Sequence, residues 1–119
     1  MSGGNWKEMF DAAVAGDLDL VAYHVQAGVD VNYAHPEFLS TPLVAAILAR
    51  QEAVALYLLR SGADPGLRSE FNGATPIQAA REAGLASLES KLVELGVAPL
   101  PPAARRQGWL ARLFARRDA

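Results

Sequence analysis

Apolar side chains recur along this chain at the spacing of one helix face, three times over. The stripes are Leu20, Val21 and Val25, with His24 among them; Val54, Ala55, Leu58 and Leu59; and Leu88, Leu92 and Val93. Offsets of i, i+4 and i+5 place each set on one side of an α-helix. Before each of the last two stripes lies a shorter run with small residues on one side: Ala45, Ala46 and Ala49, then Ala79, Ala80 and Ala83. Such runs predict a first, shorter helix that a neighbouring helix can approach closely. Thr41 and Thr75 offer side-chain oxygens to cap these helices, and Pro42 and Pro76 fit the first turn. Gly16 and Gly84 allow a left-handed turn between paired helices, and Gly28, Gly62 and Gly96 close the striped ones.

The pattern has a fixed period. Gly28, Gly62 and Gly96 lie 34 residues apart, and Ala12, Ala46 and Ala80 keep the same register. So do Leu20, Val54 and Leu88, and Val25, Leu59 and Val93. Thr41-Pro42-Leu43 returns as Thr75-Pro76-Ile77, and Arg50 stands in register between Gly16 and Gly84. Self-similarity at this length predicts stacked helix-turn-helix units, each burying its apolar face against the next.

These residues resemble the ankyrin repeat. The second copy reads Thr41-Pro-Leu-Val-Ala-Ala46 and ends Leu58-Leu-Arg-Ser-Gly-Ala-Asp64. The third reads Gly73-Ala-Thr-Pro-Ile-Gln-Ala-Ala80 and ends Leu92-Val-Glu-Leu-Gly96. The first lacks the Thr-Pro opening but has Ala12-Ala-Val-Ala-Gly-Asp-Leu18 and Ala27-Gly-Val-Asp-Val-Asn32. The resemblance implies an all-α fold, an ankyrin-repeat solenoid of three helix-turn-helix units with short finger loops, plus a C-terminal helix. Repeats are expected over 1–98, with units near 5–39, 40–72 and 73–98, followed by a Pro-rich linker at 99–104 and a basic amphipathic tail helix at 105–119.

Departures from the family pattern carry expectations of their own. The period exceeds the usual 33 by one, with the extra residue in the finger loops. The family histidine after Thr-Pro-Leu is replaced by Val44 and Gln78, which predicts loops less tied to one another. Arg50 replaces a turn glycine, at about 1 kcal/mol if it is left-handed. Leu39 occupies a finger glycine position, so the first finger is expected to be irregular. Asn5 followed by Glu8 has the spacing of a capping box at the start of the first helix. Glu89, Ser90, Lys91 and Glu94 make the last striped helix more polar, and the prolines of Val97-Ala-Pro-Leu-Pro-Pro102 end the array.

Composition narrows the chemistry. The 119 residues are 51% apolar and 20% charged, which is globular and argues against wholesale disorder. Cysteine is absent, which excludes disulfides, thiolate metal sites and thiol nucleophiles. No charge-free run is long enough for a transmembrane helix, and the N-terminus lacks the pattern of a secretory signal, so the cytoplasm is the expected compartment. Of the two histidines, His24 falls on an apolar helix face and is expected to be a core residue with a local partner. His35 sits in a loop and is expected to be solvated. No metal-binding His pair, phosphate loop or nucleophile elbow is present, so no enzyme, cofactor or metal site is expected.

Binding is the better-supported reading. The resemblance implies that finger tips and first helices line a concave surface for another protein. Carried onto this chain, that surface comprises Tyr33, His35, Glu37 and Phe38 on the first finger and Arg68, Glu70, Phe71 and Asn72 on the second. Leu48 and Glu82 belong to the first helices. Phe38 and Phe71 either anchor a partner or fold back to seal their loops. Charge divides the chain: residues 1–98 hold six basic and twelve acidic residues, whereas 99–119 hold five arginines and one acid. In the tail, Trp109, Leu110, Leu113 and Phe114 share a helical stripe bordered by Arg105, Arg106, Arg112, Arg116 and Arg117. That stripe suits a cap on the third unit, an anionic membrane surface, or a partner motif or disordered tail. The acidic body disfavours nucleic acid. The expected function is a monomeric, non-catalytic protein-interaction module; the alternative is a membrane-peripheral adaptor held by the tail.

Overall fold

The computed structural model describes residues 5–70 and 73–101. Among them are six helices and no strand: α1 (Trp6–Ala15), α2 (Leu18–Gln26), α3 (Pro42–Leu48), α4 (Glu52–Arg60), α5 (Pro76–Ala83) and α6 (Ala86–Glu94). They pair in chain order into three hairpins. Helix α3 packs against α1 on one side and α5 on the other, while α4 packs on α2. The long loops between hairpins, residues 27–41 and 61–75, are the fingers.

One backbone bond is copied at every hairpin turn. The N–H of Asp17 donates to the Ala12 carbonyl at 2.9 Å, that of Gln51 to Ala46 at 2.8 Å, and that of Leu85 to Ala80 at 2.9 Å. This closure needs a left-handed residue just past the first helix. Residues 16, 50 and 84 meet the need with φ of 80°, 63° and 75°. Arg50 therefore adopts its glycine counterparts' conformation, as its register predicts, with strain of about 1 kcal/mol. Gly16 has a second reason to lack a side chain. A Cβ there would lie 2.4 Å from the Gln51 side-chain oxygen, and the Gln51 amide reaches past it to the Val14 carbonyl at 3.1 Å.

The short helices start as their sequences predict. Thr41 Oγ1 accepts the Val44 N–H at 3.2 Å, and Thr75 Oγ1 accepts that of Gln78 at 3.4 Å. Gln78 returns a bond, its Oε1 accepting the Thr75 N–H at 3.0 Å, which completes a capping box. Asp17 caps α2 by accepting the Leu20 N–H at 3.2 Å. The box expected from Asn5 and Glu8 does not form: Asn5 makes no side-chain cap bond. Glu8 turns instead toward α2, where its Oε1 lies 2.6 Å from His24 Nε2. A buried ring nitrogen competes better for that carboxylate than an exposed backbone N–H that water can satisfy.

The core runs through all three hairpins. Met9, Ala13, Val21, Leu43, Val44, Ile47, Val54, Leu58, Ile77, Ala80, Leu88 and Leu92 are buried in one continuous cluster. Ala12, Ala46 and Ala80, in register, are the small side chains that bring the helices of each hairpin together. Polarity then changes along the stack. Where α3 places buried Val44 and Ile47, α5 has exposed Gln78 and half-buried Arg81. Arg81 pairs with Glu89 of α6 at 2.6 Å and also donates to the Pro101 carbonyl. Val97 and Leu100 pack against the core, so residues 97–101 lie back along the third hairpin. Val93 is exposed although Val25 and Leu59, in the same register, are half-buried, which makes the last stripe narrower than its spacing predicts.

Candidate protein-interaction surface

The first finger is organised around a residue expected to face water. His35 is only 2% exposed. Its ring meets Trp6 edge-on at 4.8 Å and Phe10 at 4.9 Å, and Phe38 stacks on it at 4.1 Å. Its Nδ1 accepts the backbone N–H groups of Glu37 at 3.1 Å and Phe38 at 3.2 Å. The main chain holds it as well: its N–H donates to Ser40 and its carbonyl accepts from Leu39. His35 is thus the buried keystone of the loop, where a solvated side chain was expected. Ser69, 34 residues on, is also buried, and its N–H donates to Ala74 at 2.8 Å as that of His35 does to Ser40 at 2.9 Å.

What the finger presents to solvent rests on that keystone. Phe38 stacks on His35 with one face and remains 51% exposed. Tyr33 is 39% exposed and stacks on Trp6 at 5.5 Å. Leu39 is 45% exposed and left-handed, with φ 54°, where its register partner Gly73 has φ 69°. Leu39 is therefore an exposed apolar residue absent from the expected contact set. A leucine at a glycine position was the sequence signal. Glu37 is exposed beside them.

The second finger is tied to the first. Glu70 donates its N–H to the Leu39 carbonyl at 2.9 Å, and Ser69 Oγ reaches the same oxygen at 3.5 Å. At the finger bases, Asn32 Oδ1 accepts the Asp64 N–H at 2.8 Å. These bonds correct the expectation of loosely tied loops: the family histidine is absent, but side chains of Asn32 and Ser69 and the Leu39 carbonyl join the fingers. Val44, in the histidine's place, is buried core. Arg68 and Glu70 are exposed. Phe71 and Asn72 lie outside the described residues, as do Arg105, Arg106, Trp109, Leu110, Arg112, Leu113, Phe114, Arg116 and Arg117. Leu48 and Glu82, in register near the ends of α3 and α5, are both exposed.

The chemistry of this surface is apolar and acidic. Residues 27–41 contain Asp30 and Glu37 and no lysine or arginine, and residues 61–75 contain Asp64 and Glu70 with Arg68 as the single base. The other histidine is structural, as its position on the stripe predicts: His24 is buried, with Glu8 as its partner. Among the described residues no group of three or more His, Asp or Glu side chains is placed to hold a metal ion. No described helix is long and apolar enough to cross a membrane.

Comparison with known proteins gives partial relatives. No family model matches the chain. An 88-residue stretch, 74% of the chain, is 39% identical to human ARF GTPase-activating protein GIT1, of which it covers 11%. The rat ARF GTPase-activating protein GIT2 is 36% identical over 89 residues, 75% of this chain and 12% of that protein. Human 2-5A-dependent ribonuclease is 43% identical over 72 residues, 60% of this chain and 10% of the relative. The chain thus spans about a tenth of the length of these curated relatives. Any contiguous 88 residues of this chain must include 32–88, so the GIT1 similarity takes in residues 32–41 of the first finger, the whole second finger and helices α3 to α5.

Proposed function

We propose that this chain is a non-catalytic recognition module of the ankyrin-repeat type. It binds another protein through a concave surface made by its fingers and the exposed ends of its first helices. The observation that carries this reading is the first finger. Its exposed Tyr33, Phe38 and Leu39 are held on a hydrogen-bonded backbone that a buried histidine fixes. Aromatic side chains on a preorganised loop lose little freedom on docking, which favours affinity. The 34-residue register and the likeness to segments of the GIT proteins and 2-5A-dependent ribonuclease support an ankyrin-like stack. The activities in those proteins' names are not carried over. A cysteine-free chain suits a reducing compartment, and the cytoplasm is the proposed site of action.

The test is affinity capture with immobilised full-length protein against its Phe38→Ala and Leu48→Ala variants. Loss of an anchor lowers partner recovery about tenfold while unfolding free energy changes by less than about 1 kcal/mol. Equal recovery with both variants overturns the reading.

A second reading, a membrane-peripheral adaptor, rests on the tail, where Trp109, Leu110, Leu113 and Phe114 alternate with arginines at helical spacing. It predicts cosedimentation of the full chain with anionic vesicles at low salt, and its failure to sediment would dismiss that role.

A further inference from the structure

The exposed apolar cluster of the first finger has an acidic border and, in this chain, a segment of matching chemistry. We infer that residues 105–117 dock on the cluster formed by Tyr33, Phe38 and Leu39, so that the recognition surface carries its own competitor. This rests on the interaction reading above and adds an occupant to it.

Leu39 is the first argument. Its carbonyl joins the two fingers, but a glycine would hold the same left-handed φ without strain, as Gly73 does at the matching position. The leucine side chain adds little to the core, since it is 45% exposed. Strain kept for an exposed apolar side chain points to a contact made outside the core. Phe38 gives the same indication, because its second face is open while its first is stacked on His35.

Charge selects the occupant. Glu37 and Glu70 border the cluster, and Arg68 is the single base on either finger. The first 98 residues carry a net −6, whereas 105–117 carry five arginines and no acid, with Trp109, Leu110, Leu113 and Phe114 among them. Apolar anchors flanked by arginines fit an apolar cluster flanked by carboxylates. The outer side of the third hairpin fits less well. Arg81 and Gln78 stand there in place of Ile47 and Val44, and Val97 and Leu100 already pack against it.

Reach is sufficient. The chain leaves the described residues at Pro101, whose carbonyl Arg81 holds against the third hairpin. Residues 102–104 extend about 10 Å, and 105–117 span about 20 Å even if coiled into a helix. Two interhelical spacings of about 10 Å each separate the third hairpin from the first. Tethering supplies an effective concentration of about 1 mM, so modest affinity is enough to keep the site occupied.

The experiment uses the full chain. Because it contains no cysteine, Ala119→Cys gives a single attachment point for a nitroxide. Amide signals are compared before and after reduction of the label. Docking predicts the strongest broadening at Tyr33, Phe38, Leu39 and Glu70, relieved when about 0.5 M salt shortens the screening length to roughly 4 Å. Arg112→Glu with Arg116→Glu weakens docking about tenfold and removes most of the broadening without touching the hairpins. Broadening centred on Val93 and Leu95, uniform broadening indifferent to salt, or none at all overturns the proposal. Broadening seen only when labelled and isotope-enriched copies are mixed would assign the tail to a second copy, and so also overturns it. Each of these failures leaves partner capture by the finger variants intact as a separate measurement, so the interaction reading stands or falls on its own.

Discussion

The two fingers share a backbone and differ in what they display. In both, an aspartate accepts an N–H from two residues on: Asp30 from Asn32 and Asp64 from Gly66, each at 2.9 Å. In both, a buried polar residue donates across the loop to a residue five positions later, a left-handed residue follows, and a threonine caps the next helix. Yet the buried residue is His35 in one and Ser69 in the other, and the left-handed residue is Leu39 in one and Gly73 in the other. The repeat fixes main-chain hydrogen bonds, which any side chain compatible with the φ angles can support. It leaves the side chains free to differ, inside the fingers at His35 and Ser69 and outside them at Leu39 and Gly73. On the proposed interaction reading, folding and recognition are thus carried by different atoms of the same loop.

The largest effect is expected at His35, where the fingers differ inside the protein. His35→Ala removes the acceptor for two N–H groups and the ring on which Phe38, Trp6 and Phe10 pack. It should destabilise the chain by about 2–3 kcal/mol in urea unfolding. His35→Ser copies the second finger's residue and should still lose most of this. A serine hydroxyl is too short to replace the ring between Trp6 and Phe10. If His35→Ser unfolds like the parent protein, the two fingers are interchangeable and the keystone role is wrong.

A smaller effect separates the two helix caps. Thr41→Ala removes a buried cap bond, and Thr75→Ala removes half of a reciprocal box that is more open to water. Each should cost about 1 kcal/mol, with Thr41 the more damaging because water cannot replace its bond to Val44. Thermal melts of the two variants check the order, and a larger loss at Thr75 would refute it.

How much of this could be read beforehand follows from what a repeat encodes. Gly16, Gly28, Thr41, Pro42 and their copies announce turns and caps because backbone geometry restricts which residues can stand there. Arg50 was legible for the same reason, its register demanding a positive φ. Tyr33 and Glu37 were legible as exposed finger residues, whereas Phe38 was open between facing outward and folding back, and it does part of each, stacking on His35 while remaining half exposed. His35 was not, because its burial depends on Trp6 and Phe10, which are distant in sequence and belong to the first helix. Asn5 and Glu8 have the spacing of a capping box, but spacing does not reveal that His24 offers Glu8 a better partner. The ties between fingers were also hidden, since they use a leucine carbonyl and an asparagine side chain that no motif marks.

The smallest effect is the most telling for the comparison, because it exchanges the residues by which the fingers differ outwardly. Leu39→Gly relieves left-handed strain of about 1 kcal/mol and returns part of it through the greater freedom of glycine in the unfolded chain. The net expectation is stabilisation of about 0.5 kcal/mol. Gly73→Leu should do the reverse, by about 0.5–1 kcal/mol, and for backbone reasons, since among the described residues beyond its chain neighbours no atom lies within 4 Å of where its Cβ would stand. Opposite shifts in the unfolding midpoint would mean that Leu39 works against folding, and partner capture by Leu39→Gly should then fall even as stability rises. If Leu39→Gly instead destabilises the chain, the leucine is packing into the finger, and its exposed face no longer marks where a partner binds.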